Sequence, residues 1–238
     1  MRPNQLILPA AVVVGIAYWS VVRPWHFRWG ATDAEVGGSY PGDDLIARAG
    51  PVATHAVTIE APAEAIWPWL AQLGQHRGGF YSYTCLENLL GCRMRNAPEI
   101  VPEWQHVAVD DPVWLHPQAP PMRVALVEPG KDLVLVATTP AGAAPAGAAP
   151  APGTVFTTWG FHLRPVDGQR TRLIARLRAD PDQGLFGHRP SPAERFGNAL
   201  FWEPAHFAME RKMLLEIRTR AEAGLRSGAW SPVLPNFR

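Results

Sequence analysis

Residues 54–74, THAVTIEAPAEAIWPWLAQLG, change their apolar period part-way along. Over 54–61, His55, Val57 and Ile59 alternate with Thr54, Ala56, Thr58 and Glu60, the period of a strand with one buried face. Pro62 then stands where a first helical residue belongs. Ile66, Leu70 and Leu73 recur at helical spacing until Gly74 offers a stop. Pro68 lies inside that helix and predicts a kink, because it removes one backbone donor.

Downstream of Gly78-Gly79 and the aromatic run Phe80-Tyr81-Ser82-Tyr83, residues 84–92 predict a second short helix, with Leu86, Leu89 and Leu90 as its apolar stripe. Strand-type runs follow at 112–116, 122–127, 132–139, 154–166 and 171–179, divided by turns at 128–131 and 166–169. Between the third and fourth runs, residues 140–153 contain only Pro, Ala and Gly and have nothing to bury. They predict a mobile hairpin loop joining neighbouring antiparallel strands, not a domain linker. The last element runs from about Glu203-Pro204 to about Arg226. Phe207, Leu214, Ile217, Ala221 and Leu225 form its stripe, and Glu216–Arg220 and Glu222–Arg226 are i,i+4 pairs on its outer side. One strand, two helices, several antiparallel strands and a long amphipathic helix make an α+β fold, with helices on one face of a curved antiparallel sheet. Arg170, Arg172, Arg176 and Arg178 share one face of the last strand run. That face reads as a solvated outer surface, with an anionic head-group site as the minority alternative.

Upstream, residues 6–22 (LILPAAVVVGIAYWSVV) carry no charged side chain. As a helix they would span about 25 Å, slightly less than the ~30 Å hydrocarbon core. Tyr18, Trp19, Trp25 and Trp29 gather at the far end, as an interfacial belt would. Residues 1–22 therefore predict an N-terminal hydrophobic helix acting as a single-pass membrane anchor. A signal peptide and a buried core helix are the competing readings. Arg23 and Arg28 after the span, against Arg2 and the α-amino group before it, favour a cytoplasmic globular domain. Residues 23–53 lack periodicity and predict an extended connector lying against the domain. The domain itself then covers 54–228, and 229–238 form a tail.

The 22 basic and 21 acidic side chains leave a net charge of +1, which provides no long-range field for nucleic acid. Two cysteines, Cys85 and Cys92, exclude a disulfide scaffold and a multi-cysteine zinc site. On one helix their Cα atoms would lie about 10 Å apart, too far for a bridge. The 25 prolines, about twice the usual ~5% share, fall mainly at element starts, at turns and in the 140–153 loop.

The order of elements resembles the helix-grip fold of the START/Bet v 1-like superfamily, also called SRPBCC or polyketide cyclase-like. The residues that carry the resemblance are THAVTIEAPAEAIWPWLAQLG, GQHRGGFYSYTCLENLLGCRMRNAPEIVPEWQ, WGFHLRPVDGQRTRLIARLRA and HFAMERKMLLEIRTRAE, within 54–226. They are similar to a poorly characterised bacterial branch, whose members often carry a hydrophobic N-terminal segment. The resemblance implies a mainly apolar cavity between sheet and long helix, used for lipids, sterols, polyketides or other hydrophobic molecules. It implies no universal catalytic set and no cofactor. Cys85 stands where branch relatives carry an aromatic residue.

Glu203-x-x-His206 followed by Glu210 is the sharpest polar pattern, since i, i+3 and i+7 share one helix face. As a di-iron motif it would need a matching partner helix, which is missing. The plainer reading is a helix-start cap, with Glu210 pairing locally to Arg211 or Lys212. Ser82 fails the G-x-S-x-G pattern of a nucleophile elbow, so the 78–83 loop reads as a cavity mouth presenting Tyr81 and Tyr83. His55, His162 and His206 suit acid–base work only if folding brings them together. The expected ligand contacts are Trp159, Phe161, Trp202, Phe207 and Met209 as apolar walls, with Tyr81, Tyr83, Glu87 and His206 as polar groups. The expected function is binding of a hydrophobic small molecule at a membrane. The alternatives are a cyclase or dehydratase using a cavity Tyr, Glu or His, and a non-catalytic interaction protein.

Overall fold

The computed structural model describes residues 13, 15–139, 153–184 and 187–228. The six strands are β1 (Ala53–Ile59), β2 (Pro112–Val113), β3 (Met122–Glu128), β4 (Asp132–Thr138), β5 (Val155–Pro165) and β6 (Thr171–Ala179). They form one antiparallel sheet in the order β1-β6-β5-β4-β3-β2. Irregular register near Ala125 in β3 and between Ala137 and Thr138 in β4 bends the sheet. Thr138 pairs with Val155, so the strands flanking the Pro/Ala/Gly segment are antiparallel neighbours, as expected. The 140–153 loop itself lies almost wholly outside the described residues, and the 229–238 tail lies entirely outside them.

The helices are α1 (Arg23–Phe27), α2 (Asp33–Gly37), α3 (Ala63–Ala71), α4 (Thr84–Leu89), α5 (Pro192–Gly197) and α6 (Glu203–Arg226). Pro68 sits inside α3, whose apolar side chains are almost all buried. The 24-residue α6 grips the concave face of the sheet through Met213, Leu214, Ile217 and Ala221. This is the helix-grip arrangement, read from strand order and the position of the long helix. Between sheet and helix the space is filled by Trp69, Phe80, Tyr81, Trp159 and Phe161. Trp159 and Phe161 meet at 4.9 Å between ring centroids, and Trp69 meets Tyr81 edge-on at 5.7 Å.

Two expectations are corrected here. The first concerns the convex face of the sheet, expected to be wet and instead covered. Residues 30–47 cross it, so β1 is buried on both sides. Trp29 accepts a backbone hydrogen bond from Ala56, and Gly30 follows in a left-handed conformation, where a Cβ would stand 2.1 Å from the Ala56 carbonyl oxygen. Only glycine allows that crossing. Thr32 and Glu35 then close a capping box on α2, and Glu35 also takes two 2.8 Å hydrogen bonds from Arg172. Asp43 receives Arg176 at 3.0 Å and Arg178 at 3.4 Å. The arginine row is therefore the seat of the connector. Of the four, Arg170 alone stays outside it, paired with Asp167 in its own hairpin.

The second correction concerns α4. Its leucine stripe faces out, with Leu89 83% exposed, and the residue it buries is Glu87. The helix also ends at Leu89, before Cys92. Six residues are too few for the stripe to fix the helix orientation, and the flanking loops hold it instead. Asn88 bonds the Met94 backbone in both directions, and Ser82 Oγ donates to the Met209 carbonyl at 3.0 Å.

The N-terminal segment adds a third departure. Among the described residues no helix is long and apolar enough to cross a membrane. Residues 1–12 and 14, which make up much of the expected anchor, lie outside the described residues. The remainder, 15–27, is helical, with a π turn over Tyr18–Val22, and docks on the domain.

Candidate functional site

Phe207, on the first turns of α6, is the hub of that docking. Its ring lies 5.3 Å from Trp25, 5.6 Å from His26, 5.4 Å from His55 and 6.2 Å from Trp29, centroid to centroid. Arg23 clamps the same contact with two hydrogen bonds to Glu203, 2.7 and 2.9 Å, while its guanidinium lies over Trp19 and Phe27. A bidentate pair of this kind fixes orientation as well as distance. Tyr18 donates its hydroxyl to the Ala199 carbonyl. Ala199 belongs to a second π turn, Asn198–Trp202, so two π turns face each other across this junction. Such turns are concentrated at functional sites because they widen the helix locally.

A pocket of about 320 Å³ lies beneath the junction. Its floor is the pocket end of β1 and β6, with Ala53, His55, Leu177 and Ala179. Its walls are Trp19, Arg23, His26 and Phe27 on one side, and Ala199, Trp202, Glu203, His206 and Phe207 on the other. At that volume the pocket lies at the small end of the range for ligand sites.

Three histidines line the pocket, His26, His55 and His206, and buried Glu210 stands behind them. Glu210, buried one turn beyond His206, accepts a hydrogen bond from Nδ1 of His55 and another from Nε1 of Trp159 at 2.5 Å. The second ring nitrogen of His55 donates to the carbonyl of His26 at 2.6 Å. Both His55 nitrogens thus face acceptors, the pattern of an imidazolium. Burial opposes both charges, but each group holds the other ionised. The His55 pKa is raised, and the Glu210 carboxyl is held down at about 2 by the His55 and His206 imidazoles and its two donors. His26 and His206 differ: burial is the largest influence on each and pushes the pKa down, so both rings are neutral near pH 7. Nε2 of His26 is buried and meets no hydrogen-bond partner. A buried ring nitrogen left unpaired beside a cavity is costly unless a guest completes it.

Folding distributes the expected contact residues over four places. Trp202, His206 and Phe207 border the pocket. Trp159 and Phe161 stand in the filled core, where Trp159 reaches the site through Glu210 and edge-on through His206 at 5.9 Å between ring centroids. Tyr81 is fully buried away from the pocket, bonded by Gln72 at 2.8 Å, and desolvation pushes its phenol up to about 12. Tyr83 is exposed, and Glu87 is buried in α4 with one carboxylate oxygen unpartnered. The Met209 carbonyl serves as the acceptor for Ser82. His55 and His206 converge on Glu210, whereas His162 bonds Asp132 at 2.7 Å on the convex face. Glu210 pairs across the fold and not with Arg211 or Lys212, and Glu203 pairs with Arg23. Sequence reading missed Arg23, His26 and Ala199. The run Trp25-His26-Phe27 was a signal of packing, since three consecutive aromatic rings seldom stand free in a connector.

No protein-family model matches the chain, and no curated protein does. Solved structures do match over most of its length. The ZhuI aromatase/cyclase of a Streptomyces species is 17% identical, covers 76% of this chain and 98% of its own, and superposes with a TM-score of 0.36. A protein from Mesorhizobium loti is 20% identical over 71% and 97% of the two chains, with a TM-score of 0.33. A Polyketide_cyc-like protein from Corynebacterium glutamicum is 12% identical over 74% and 83%, at 0.29. At that identity and overlap they say nothing of a ligand or a reaction in this chain.

Proposed function

We propose that this protein binds a small hydrophobic molecule carrying one hydrogen-bonding group in the pocket between the N-terminal helix, the end of β1 and β6, and the start of α6. The observation that carries the reading is the unpartnered, buried Nε2 of His26 in a wall that sets Trp19, Phe27, Leu177 and Phe207 beside the polar side chains of Arg23, Glu203 and His206. An apolar guest with a hydroxyl or carbonyl would complete that nitrogen and fill the remainder by contact. A cyclase or dehydratase reading is less well supported: His55 and Glu210 already satisfy each other, the Trp159 N–H and the His26 carbonyl, so neither is free to move a proton on a substrate. The apolar segment 6–22 would hold the chain at a membrane.

Ala53, on the pocket floor, gives the test. Ala53→Phe projects a ring into the pocket from the strand face that also carries His55. Organic extracts of wild type and variant, purified identically, are compared by mass spectrometry. One class of small apolar compound retained by the wild type and absent from a folded Ala53→Phe chain is the expected result. Identical extracts from the two would overturn the reading.

A further inference from the structure

The two helical stretches that wall the pocket also expose an apolar face. On the N-terminal stretch Ile16, Trp19 and Val21 are exposed; on α5 and the π turn after it Phe196, Phe201 and Trp202 are exposed, Phe201 by 76%. Phe196 lies on α5 and Phe201 in the π turn that continues it. The stretches are held together by Tyr18 on the Ala199 carbonyl and by Arg23 on Glu203, which brings both sets of exposed apolar side chains to one end of the domain. A patch of large apolar residues on this scale marks an interaction surface.

The flanking charge is mixed, with exposed Glu194 on α5 and Asp180 in the pocket wall beside two arginines. Arg189 and Arg195 are exposed at the rim, and neither has a carboxylate partner among the described residues. Arg195 reaches only the carbonyls of Pro190 and Pro181. Exposed aliphatic and aromatic side chains edged by charges of both signs suit the head-group boundary of a bilayer. Sequence points the same way, because the exposed N-terminal stretch is preceded in the chain by the uncharged run of residues 6–12.

We infer that the 192–202 stretch and the N-terminal helix together form a two-helix platform that seats on a phospholipid surface, with Phe196 and Phe201 immersed. Trp19, Trp202 and Arg195 belong both to this platform and to the pocket wall. The pocket therefore opens at the bilayer, and its guest is a molecule dissolved in the membrane. That last clause rests on the binding reading above; the seating of the platform does not.

The test uses the full chain with exposed Cys85 replaced by Ser and a single polarity-sensitive NBD label on Phe201→Cys, with Phe196→Cys as a second site. Gln169→Cys, exposed at the far end of β6 from the pocket, is the control. Vesicles are phosphatidylcholine with a minority of phosphatidylglycerol, with and without nitroxide-labelled acyl chains. The expected result is lipid quenching at 201 and 196 exceeding that at 169 about twofold or more, as for groups sunk ~5–10 Å into the head-group boundary. A vesicle-bound chain whose 201 label is quenched by aqueous iodide and not by lipid overturns the platform while leaving the N-terminal anchor standing. A label shielded from both quenchers, on a chain of doubled mass, shows a second copy on this face and equally overturns it. Failure of the chain to float with the vesicles removes both membrane readings. None of these outcomes touches the Ala53→Phe comparison, which alone decides the pocket.

Discussion

Glu87 and Glu210 are both helical glutamates, both 3% exposed, and their carboxyls are pushed in opposite directions. Glu210 has an imidazolium on one oxygen and an indole N–H on the other. Glu87 has burial without a charge partner, and one of its oxygens finds no donor. Burial by itself therefore does not say what a carboxyl contributes; the donors that burial brings along decide the sign. Around Glu210, a strand, a helix and the N-terminal segment each supply a group aimed at the same point. Around Glu87, a short helix turned leucine-side out leaves its carboxyl buried with no charge partner.

The contrast is sharpest when Glu210 is removed. Glu210→Ala strands a buried imidazole and the Trp159 N–H, and the expected loss is about 3–5 kcal/mol in denaturant unfolding. Its pH dependence is specific. The Glu210 contribution is complete above the unfolded carboxyl value of 4.5 and is lost as pH falls toward about 2. The His55 contribution is complete below its unfolded value of 6.5 and is lost as pH rises through the raised folded value. The difference between wild type and variant should therefore peak between 4.5 and 6.5; a difference that grew steadily toward alkaline pH would show that the two are not an ion pair. Next in size, the cycle joining His55→Gln and Glu210→Gln should give a coupling of about 2 kcal/mol. Additive effects would mean that each side chain acts through packing alone.

At Glu87 the sign reverses. Its folded pKa is raised, so the ionised form costs stability above the unfolded value of 4.5 and costs nothing once both states are protonated. Glu87→Gln should thus gain about 1 kcal/mol at pH 7, with the gain fading as pH falls to 4.5. A loss at pH 7 would reveal a donor to Glu87 and erase the contrast with Glu210. The smallest effect belongs to the exposed side of the same helix. Leu89→Gln should change unfolding by no more than about 0.5 kcal/mol, since little of the leucine leaves water on folding.

What could be read along the chain follows from local repetition. The alternation in 54–61 gave β1, the 3–4 spacing in 203–226 gave α6, and the order of the elements gave the antiparallel sheet with a gripping helix. These are recoverable because periods of 2 and 3.6 record which side of an element meets the core. Short elements kept less of that record: α4 has six residues, and its leucines pointed to the wrong face. Charge gave still less, because an arginine row on a strand looks the same whether water or Glu35 and Asp43 lies opposite. The candidate site was legible only in part. Trp202, His206 and Phe207 were named from the helix that carries them, while His26 and Arg23 stood in a stretch without periodicity.

Residues 54–226 by themselves determined the kind of fold and its gripping helix, because those depend on patterns a few residues long. Tertiary structure alone decided that the connector seals the convex face, that Glu210 meets His55 from 155 positions away, and that the pocket lies at the start of α6 while aromatic rings fill the space behind it. Each of these joins groups far apart in sequence, and an ion pair or a cavity wall leaves no period in the chain that forms it.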